Sequence, residues 1–157
     1  MKLYLVRHGE ALDKSIDPER GLSDRGKRDA GKVGHYLGAR EDAKNVAEVR
    51  SSTKARAVQT AGILGSELGS HVKKRSLSGL APNDPVEPVA DEMERLADDI
   101  MLVGHLPFLP TLAARLLAGA RPDESMVFPT AGVLILERDA DGVWNVVKQI
   151  DPGSLPG

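Results

Sequence analysis

Short apolar runs alternate with stretches in which apolar residues recur every three or four positions, the pattern of a chain that alternates strands and helices. Leu3-Tyr4-Leu5-Val6 predicts a short buried strand that stops abruptly at Arg7-His8-Gly9-Glu10. Asp13 to Gly21 is polar and turn-rich, and reads as a surface loop. Ser23 is placed to cap a helix with Ala30, Val33, Tyr36 and Leu37 on one face, and its Gly26, Gly31 and Gly34 point to close packing against a sheet. Val46 to Arg50 is a second, weaker strand. Any of Ser51, Ser52 and Thr53 can cap the helix after it, whose stripe is Ala55, Val58, Gly62, Leu64 or Gly65, and Leu68, with Gly69 at its end.

His71 to Leu77 predicts a third strand, and Lys73-Lys74-Arg75 puts it at a sheet edge. Asp84-Pro85-Val86-Glu87 has the form of a helix start, with Asp84 as cap, Pro85 in the first turn and Glu87 reaching back; Val86, Val89, Ala90 and Met93 supply its apolar face. Ile100 to Val103 is the strongest buried strand and ends in Gly104-His105. Pro107 opens the next helix, with Leu109, Leu112, Ala113, Leu116 and Leu117 inward and Gly119 as its stop. Val133 to Glu137 and Val143 to Ile150 flank Asp141-Gly142, a hairpin signal that makes the last two strands antiparallel. Residues 151–157 read as a loose tail. The pattern predicts a three-layer α/β/α sandwich around a mostly parallel sheet, with an antiparallel C-terminal hairpin.

With 157 residues the chain suits a single domain, 1–157. A net charge of −2, from 21 basic and 23 acidic residues, provides no field to recruit nucleic acid or an anionic membrane, so an anionic substrate must be met locally. The absence of cysteine excludes disulfides, thiolate nucleophiles and cysteine-rich zinc sites. The apolar run before Arg7 is too short for a signal peptide and no later run approaches a membrane span, so a cytoplasmic location is expected. Oligomeric state is not legible.

Candidate chemistry gathers at strand ends, where open α/β sheets bind ligands. Arg7 and His8 follow the first strand, Arg56 lies in the first helical turn after the second, and His105 follows the strong later strand. Arg-His-Gly alone would occur by chance in roughly 2% of chains this long. In company it means more: two guanidiniums can hold a phosphate, one imidazole can attack phosphorus and another can donate a hydrogen bond as charge builds. The four histidines show no metal-ligand spacing, so neither metal nor cofactor is expected, and His35 and His71 match no motif. Asp84 and Glu87 are readable either as helix-start residues or as candidate catalytic acids.

These residues resemble the histidine phosphatase superfamily (phosphoglycerate mutase-like), and within it the small SixA-type phosphohistidine phosphatases. Leu5-Val6-Arg7-His8-Gly9-Glu10 is similar to its first motif and Leu22-Ser23 with Gly26 to its next segment. Ser51 to Ala61 is similar to the second-arginine motif, Val103-Gly104-His105-Leu106-Pro107 to the second-histidine motif, and Met126 to Ala131, more loosely, to a late SixA segment. The resemblance implies His8 as nucleophile with Arg7, Arg56 and His105 around the phosphate. It implies a phosphorylated protein carrying phosphohistidine, or a small phosphorylated molecule, as substrate. Lys14 stands where mutases carry an asparagine-like residue, and the short middle of the chain leaves no room for their catalytic-glutamate insertion, which favours the SixA branch. The alternatives are a phosphatase or mutase on a small ester and a phospho-ligand-binding module without turnover.

Overall fold

The computed structural model describes residues 1–117 and 128–156. Leu3, Tyr4, Leu5 and Val6 are buried within β1 (Lys2–Arg7), because this strand is interior to the sheet and both faces of the sheet are covered. Burial of each such side chain contributes about 1.5–3 kcal/mol. β1 pairs in parallel with β4 (Asp99–Gly104), β4 with β2 (Val46–Ser51), and β2 with β3 (Lys73–Ser76). On its other side β1 pairs antiparallel with β5 (Val133–Arg138), which pairs antiparallel with β6 (Trp144–Ile150). The order is β3-β2-β4-β1-β5-β6.

Alternation along the strands sorts the core into two layers. Tyr4, Val6, Met101 and Val103 face α1 (Asp24–Gly38) and α2 (Ala55–Leu68). Leu3, Leu5, Ile100 and Leu102 face α3 (Glu87–Met93) and α4 (Phe108–Leu116). The expected three layers and the antiparallel C-terminal hairpin are what the chain forms. No helix of the described residues is long and apolar enough to cross a membrane.

Local details differ where tertiary partners override local signals. Ser23 caps α1 by accepting from Gly26 N–H at 3.0 Å, as expected. The α1 glycines, however, do not pack on the sheet: Gly26 lies against the loop after β1, Gly34 against Glu67 of α2, and Gly31 faces open space. No side chain caps α2, which begins after Lys54, and its buried stripe is Ala57, Thr60, Ala61, Leu64, Gly65 and Leu68, leaving Val58 exposed. The expected stripe holds at Leu64, Gly65 and Leu68 but is out of phase in the first turns, where Ala57, Ala61 and the polar Thr60 are buried in place of Ala55, Val58 and Gly62. β2 read as weak because Glu48 and Arg50 interrupt it; they pair with each other at 3.2 Å, and Arg75 and Glu92 complete the cluster.

The start of α3 is a second correction. Its cap position is Val86, with no side-chain bond, and Asp84 instead accepts from Ala81 N–H at 2.9 Å, closing the preceding turn. Glu87 turns outward to Arg115 on α4, at 3.0 and 3.1 Å. α4 starts one residue after Pro107 and buries Phe108 with the expected leucines, whereas the Gly119 stop lies outside the described residues. The tail is not loose through residue 155: Asp151 accepts from Gly153 N–H at 2.8 Å, Pro152 is buried in a short 3-10 turn, and Leu155 packs on the α1/α2 layer.

Candidate active site

Register brings the expected residues together. Arg7 pairs with Gly104 and Ser51 with Val103, so the C-terminal ends of β1, β4 and β2 lie side by side. His8 N–H donates to Gly104 O at 3.0 Å, extending the β1–β4 ladder one residue beyond β1. The segment before β5 closes over this end: Ala131 N–H donates to His8 O and Arg7 N–H to Gly132 O, both at 3.0 Å. Arg7 Nη1 donates to Phe128 O at 2.9 Å, which gives the end of the segment 126–131 a role; Met126 and Val127 lie outside the described residues.

α2 is docked to the same loop through a residue with no chemical signature in the sequence. Gly9 N–H donates to Thr60 Oγ1 at 3.0 Å, and that hydroxyl donates to Arg56 O at 2.8 Å. The first turn of α2, with Arg56, is thereby held beside His8.

Hydrogen bonding fixes the state of His8. Gly9 O lies 2.7 Å from its Nδ1, and a carbonyl only accepts, so Nδ1 carries the proton and Nε2 keeps a lone pair. Desolvation, then the charges of Arg56, Arg7 and Arg20, lower its pKa to about 4, against the opposing pull of Gly9 O. His105 is lowered to about 3, by desolvation first and then by His8, Arg56, Lys54 and Arg7. Both imidazoles are therefore neutral at pH 7. Their ring centroids are 5.0 Å apart.

Two buried nitrogens at these residues lack hydrogen-bond partners among the described residues: Arg7 Nε, a donor, and His105 Nδ1. Neither Arg7 nor Arg56 forms an ion pair there, and desolvation lowers the pKa of each. Unmatched buried donors and unneutralised guanidiniums are costly unless an anion uses them. The partner of His105 on its other nitrogen is Ser52, whose Oγ lies 2.6 Å from Nε2. Ser52, read as a candidate cap, belongs to the site instead; serine is so common at helix starts that nothing marked it out.

The remaining candidates stand apart. Asp84 and Glu87 bond to Ala81 N–H and Arg115 and touch none of the four residues. His35 and His71 are exposed. Among the described residues no three His, Cys, Asp or Glu side chains converge as a metal site. A cavity of about 390 Å3 is lined by Arg50, Leu77, Leu80, Asp84, Pro88 and Glu92 and excludes all four residues, so the chemistry and not the size of the cavity locates the site.

A mostly parallel sheet that presents a tautomer-fixed imidazole, a second neutral imidazole and two guanidiniums without ion pairs among the described residues defines a class of protein suited to a phosphoryl group. Residues 3–81 match the model of the histidine phosphatase superfamily (branch 1), and the chain belongs to that superfamily. It is 31% identical over 159 residues to the Mycobacterium tuberculosis chain named Uncharacterized protein Rv1276c, covering 94% of this chain and 93% of that one. Among solved structures it is similar to the protein histidine phosphatase SixA complexed with tungstate, with a TM-score of 0.80, 25% identity and 98% of each chain covered. It also shares its fold with a phosphoserine phosphatase of Entamoeba histolytica in complex with 3-phosphoglyceric acid, with a TM-score of 0.72, 15% identity and 96% of each chain covered.

Proposed function

We propose that the protein is a phosphatase that passes the phosphoryl group through Nε2 of His8, and that its substrate carries phosphate on nitrogen, as phosphohistidine in a protein. The observation that carries this reading is the Nδ1–Gly9 O bond, which leaves Nε2 as a neutral nucleophile beside unpaired donors. Tungstate, bound by the similar SixA, is a tetrahedral oxyanion like phosphate, which supports the same use of this pocket.

In the first step Nε2 bonds to phosphorus as the bond to the leaving nitrogen breaks, and that electron pair stays with the departing imidazole, which leaves neutral once its ring has taken a proton from solvent. In the second, water attacks phosphorus, the P–Nε2 bond breaks, its electron pair returns to His8, and the water proton passes to phosphate or solvent. Arg7 and Arg56 hold the phosphoryl oxygens with charge-assisted hydrogen bonds, and His105 donates as negative charge builds. An arriving phosphoryl dianion offsets the cationic field that, after desolvation, keeps His105 neutral, so the substrate raises the pKa of that imidazole.

Chemical quench of the working enzyme should trap an acid-labile, base-stable phosphate on His8, and His8→Ala should fold yet show no turnover. Full activity in that variant overturns the assignment. Removing Arg7, Arg56 or His105 should each lower the rate about 10²–10³-fold. The arginines supply the charge that a divalent ion supplies elsewhere, so chelators should leave turnover unchanged and vanadate should inhibit. Activity that is lost on stripping and restored by one metal refutes that part of the account.

A further inference from the structure

Thr60 is the polar residue in the buried stripe of α2, among Ala57, Ala61, Leu64 and Leu68, and no part of it reaches solvent. Valine would fill the same space with no hydroxyl to satisfy, so the hydroxyl must be accounted for by its bonds. It makes two. Its single proton goes to Arg56 O at 2.8 Å, because a carbonyl only accepts; toward Gly9 N–H, 3.0 Å away, the same oxygen is therefore the acceptor.

The bond to Gly9 fixes more than the course of the loop. Gly9 N–H and His8 O are the two ends of one peptide unit, and His8 O accepts from Ala131 N–H at 3.0 Å. That unit is pinned at both ends, by α2 on one side and by the segment before β5 on the other. The next carbonyl along is Gly9 O, the group 2.7 Å from Nδ1 of His8. Glycine imposes little preference of its own on where that carbonyl points. Its direction is inherited from the pinned unit before it and from the packing of α1, since a Cβ on Gly9 would lie 2.8 Å from Gly26 O.

We infer that Thr60 is a positioning residue that selects the reacting nitrogen of His8: by holding the Gly9 amide it aims Gly9 O at Nδ1, and so leaves the lone pair on Nε2. Its hydroxyl acts through the backbone and is bonded to neither imidazole. Its neighbour Gln59 bonds elsewhere. Gln59 Oε1 accepts from Leu22 N–H at 2.7 Å, which ties the far end of the loop between β1 and α1 to the same helix. The choice of nitrogen follows from these bonds alone, whereas its effect on rate rests on the phosphatase reading.

The test is proton–nitrogen correlation NMR of the histidine rings at neutral pH, which separates a protonated ring nitrogen from one with a free lone pair and needs no substrate. Loss of signals in His8→Ala assigns the ring. Wild type should show Nδ1–H alone at His8. Thr60→Val should add the Nε2–H form, Thr60→Ser should restore the wild-type pattern, and Gln59→Leu should keep it whatever its melting temperature. In turnover, Thr60→Val should lower kcat about 10–100-fold, the order of loss when a reacting atom is displaced by about 1 Å. KM should change less, because Arg56 O keeps its ordinary helical N–H partner and the guanidinium its place. Where Thr60→Val does not fold, Thr60→Ala removes the same hydroxyl without added bulk and carries the same expectation. An Nε2–H signal already present in wild type overturns this inference and the phosphatase reading together. A wild-type Nδ1–H that persists unmixed in the folded variant, or the same mixture in Gln59→Leu, overturns the selection by Thr60 alone.

Discussion

Ser52 Oγ lies 2.6 Å from His105 Nε2, and both residues are buried. Ser52 Oγ also accepts from Lys54 N–H at 3.4 Å and keeps both a proton and a second lone pair for Nε2, while Nδ1 is buried without a partner among the described residues. The serine thus orients the His105 ring. Ser52→Ala should cost about 1–3 kcal/mol of stability, the penalty for an unmatched buried group. It should also lower kcat and move the pH profile, while Ser52→Thr, which keeps the hydroxyl, should restore both. Reduced stability with an unmoved profile would make Ser52 merely structural.

The two depressed histidines make stability pH-dependent in a defined window. Each has an ordinary value of 6.5, lowered to about 4 for His8 and about 3 for His105. The unfolded chain therefore binds more protons, and stability present above pH 6.5 is lost as pH falls toward those lowered values. The slope should reach about 1.4 kcal/mol per pH unit for each histidine. Asp42, held to about 2 chiefly by its hydrogen bond from Arg40, adds to the slope only as pH falls below about 5 toward its ordinary 3.8, so the part above about pH 5 reports the histidines. Denaturant titrations between about pH 7 and 4 should show the slope, and inorganic phosphate should flatten it by protonating His105 in the folded state. A flat profile without phosphate would mean that the pair is not desolvated as the structure has it.

How much of this was legible depends on whether a feature is written locally. The buried strands, the Ser23 cap and the Asp141-Gly142 turn are carried by short windows of sequence, and all are present. The placing of Arg7, His8, Arg56 and His105 on one edge was also readable, because strand ends in a parallel sheet converge whatever the side chains. Features made by distant partners were not. Asp84-Pro85-Val86-Glu87 has every local mark of a helix start, yet Arg115, 28 residues on, takes Glu87, and the turn at Ala81 takes Asp84. Thr60 and Ser52 are functional only through bonds to Gly9 and His105, across separations of 51 and 53 residues, which no spacing rule could find.

Two glycines of α1 should respond oppositely to alanine. A Cβ at Gly26 would lie 2.2 Å from Glu10 O, whereas one at Gly31 would meet nothing within 4 Å. Alanine gains about 1 kcal/mol over glycine in a helix interior. Gly31→Ala should therefore raise the melting temperature without touching activity. At Gly26 the contact is with backbone, so the clash, typically about 1–3 kcal/mol, exceeds the helical gain. Gly26→Ala should melt lower and lose activity, since Glu10 must move and Gly9, which fixes the His8 tautomer, moves with it. Similar behaviour of the two variants would show that the close approach of α1 does not position the loop.

The leaving group is the remaining question, and the geometry of the acids bears on it. Cleaving an alkyl phosphate expels a strongly basic alkoxide, so a positioned proton donor is worth about 10²–10⁴-fold. Asp84 accepts a backbone N–H from the turn before α3 and Glu87 accepts from the Arg115 guanidinium. Neither bonds to His8 or His105, so neither is placed to hand a proton to a leaving group there. An imidazole leaving group needs no such acid, because it departs neutral once its ring is protonated. Turnover should therefore favour P–N bonds and activated aryl esters over alkyl phosphates. Asp84→Ala should loosen the turn before α3 and Glu87→Gln should weaken its exposed tie to α4, each lowering the melting temperature with little change in kcat/KM for phosphohistidine. The measurement compares kcat/KM for phosphohistidine with that for a phosphoserine peptide in wild type and both variants. If phosphoserine is the better substrate and Asp84→Ala selectively abolishes its cleavage, Asp84 is a general acid and the substrate proposed for this protein is wrong.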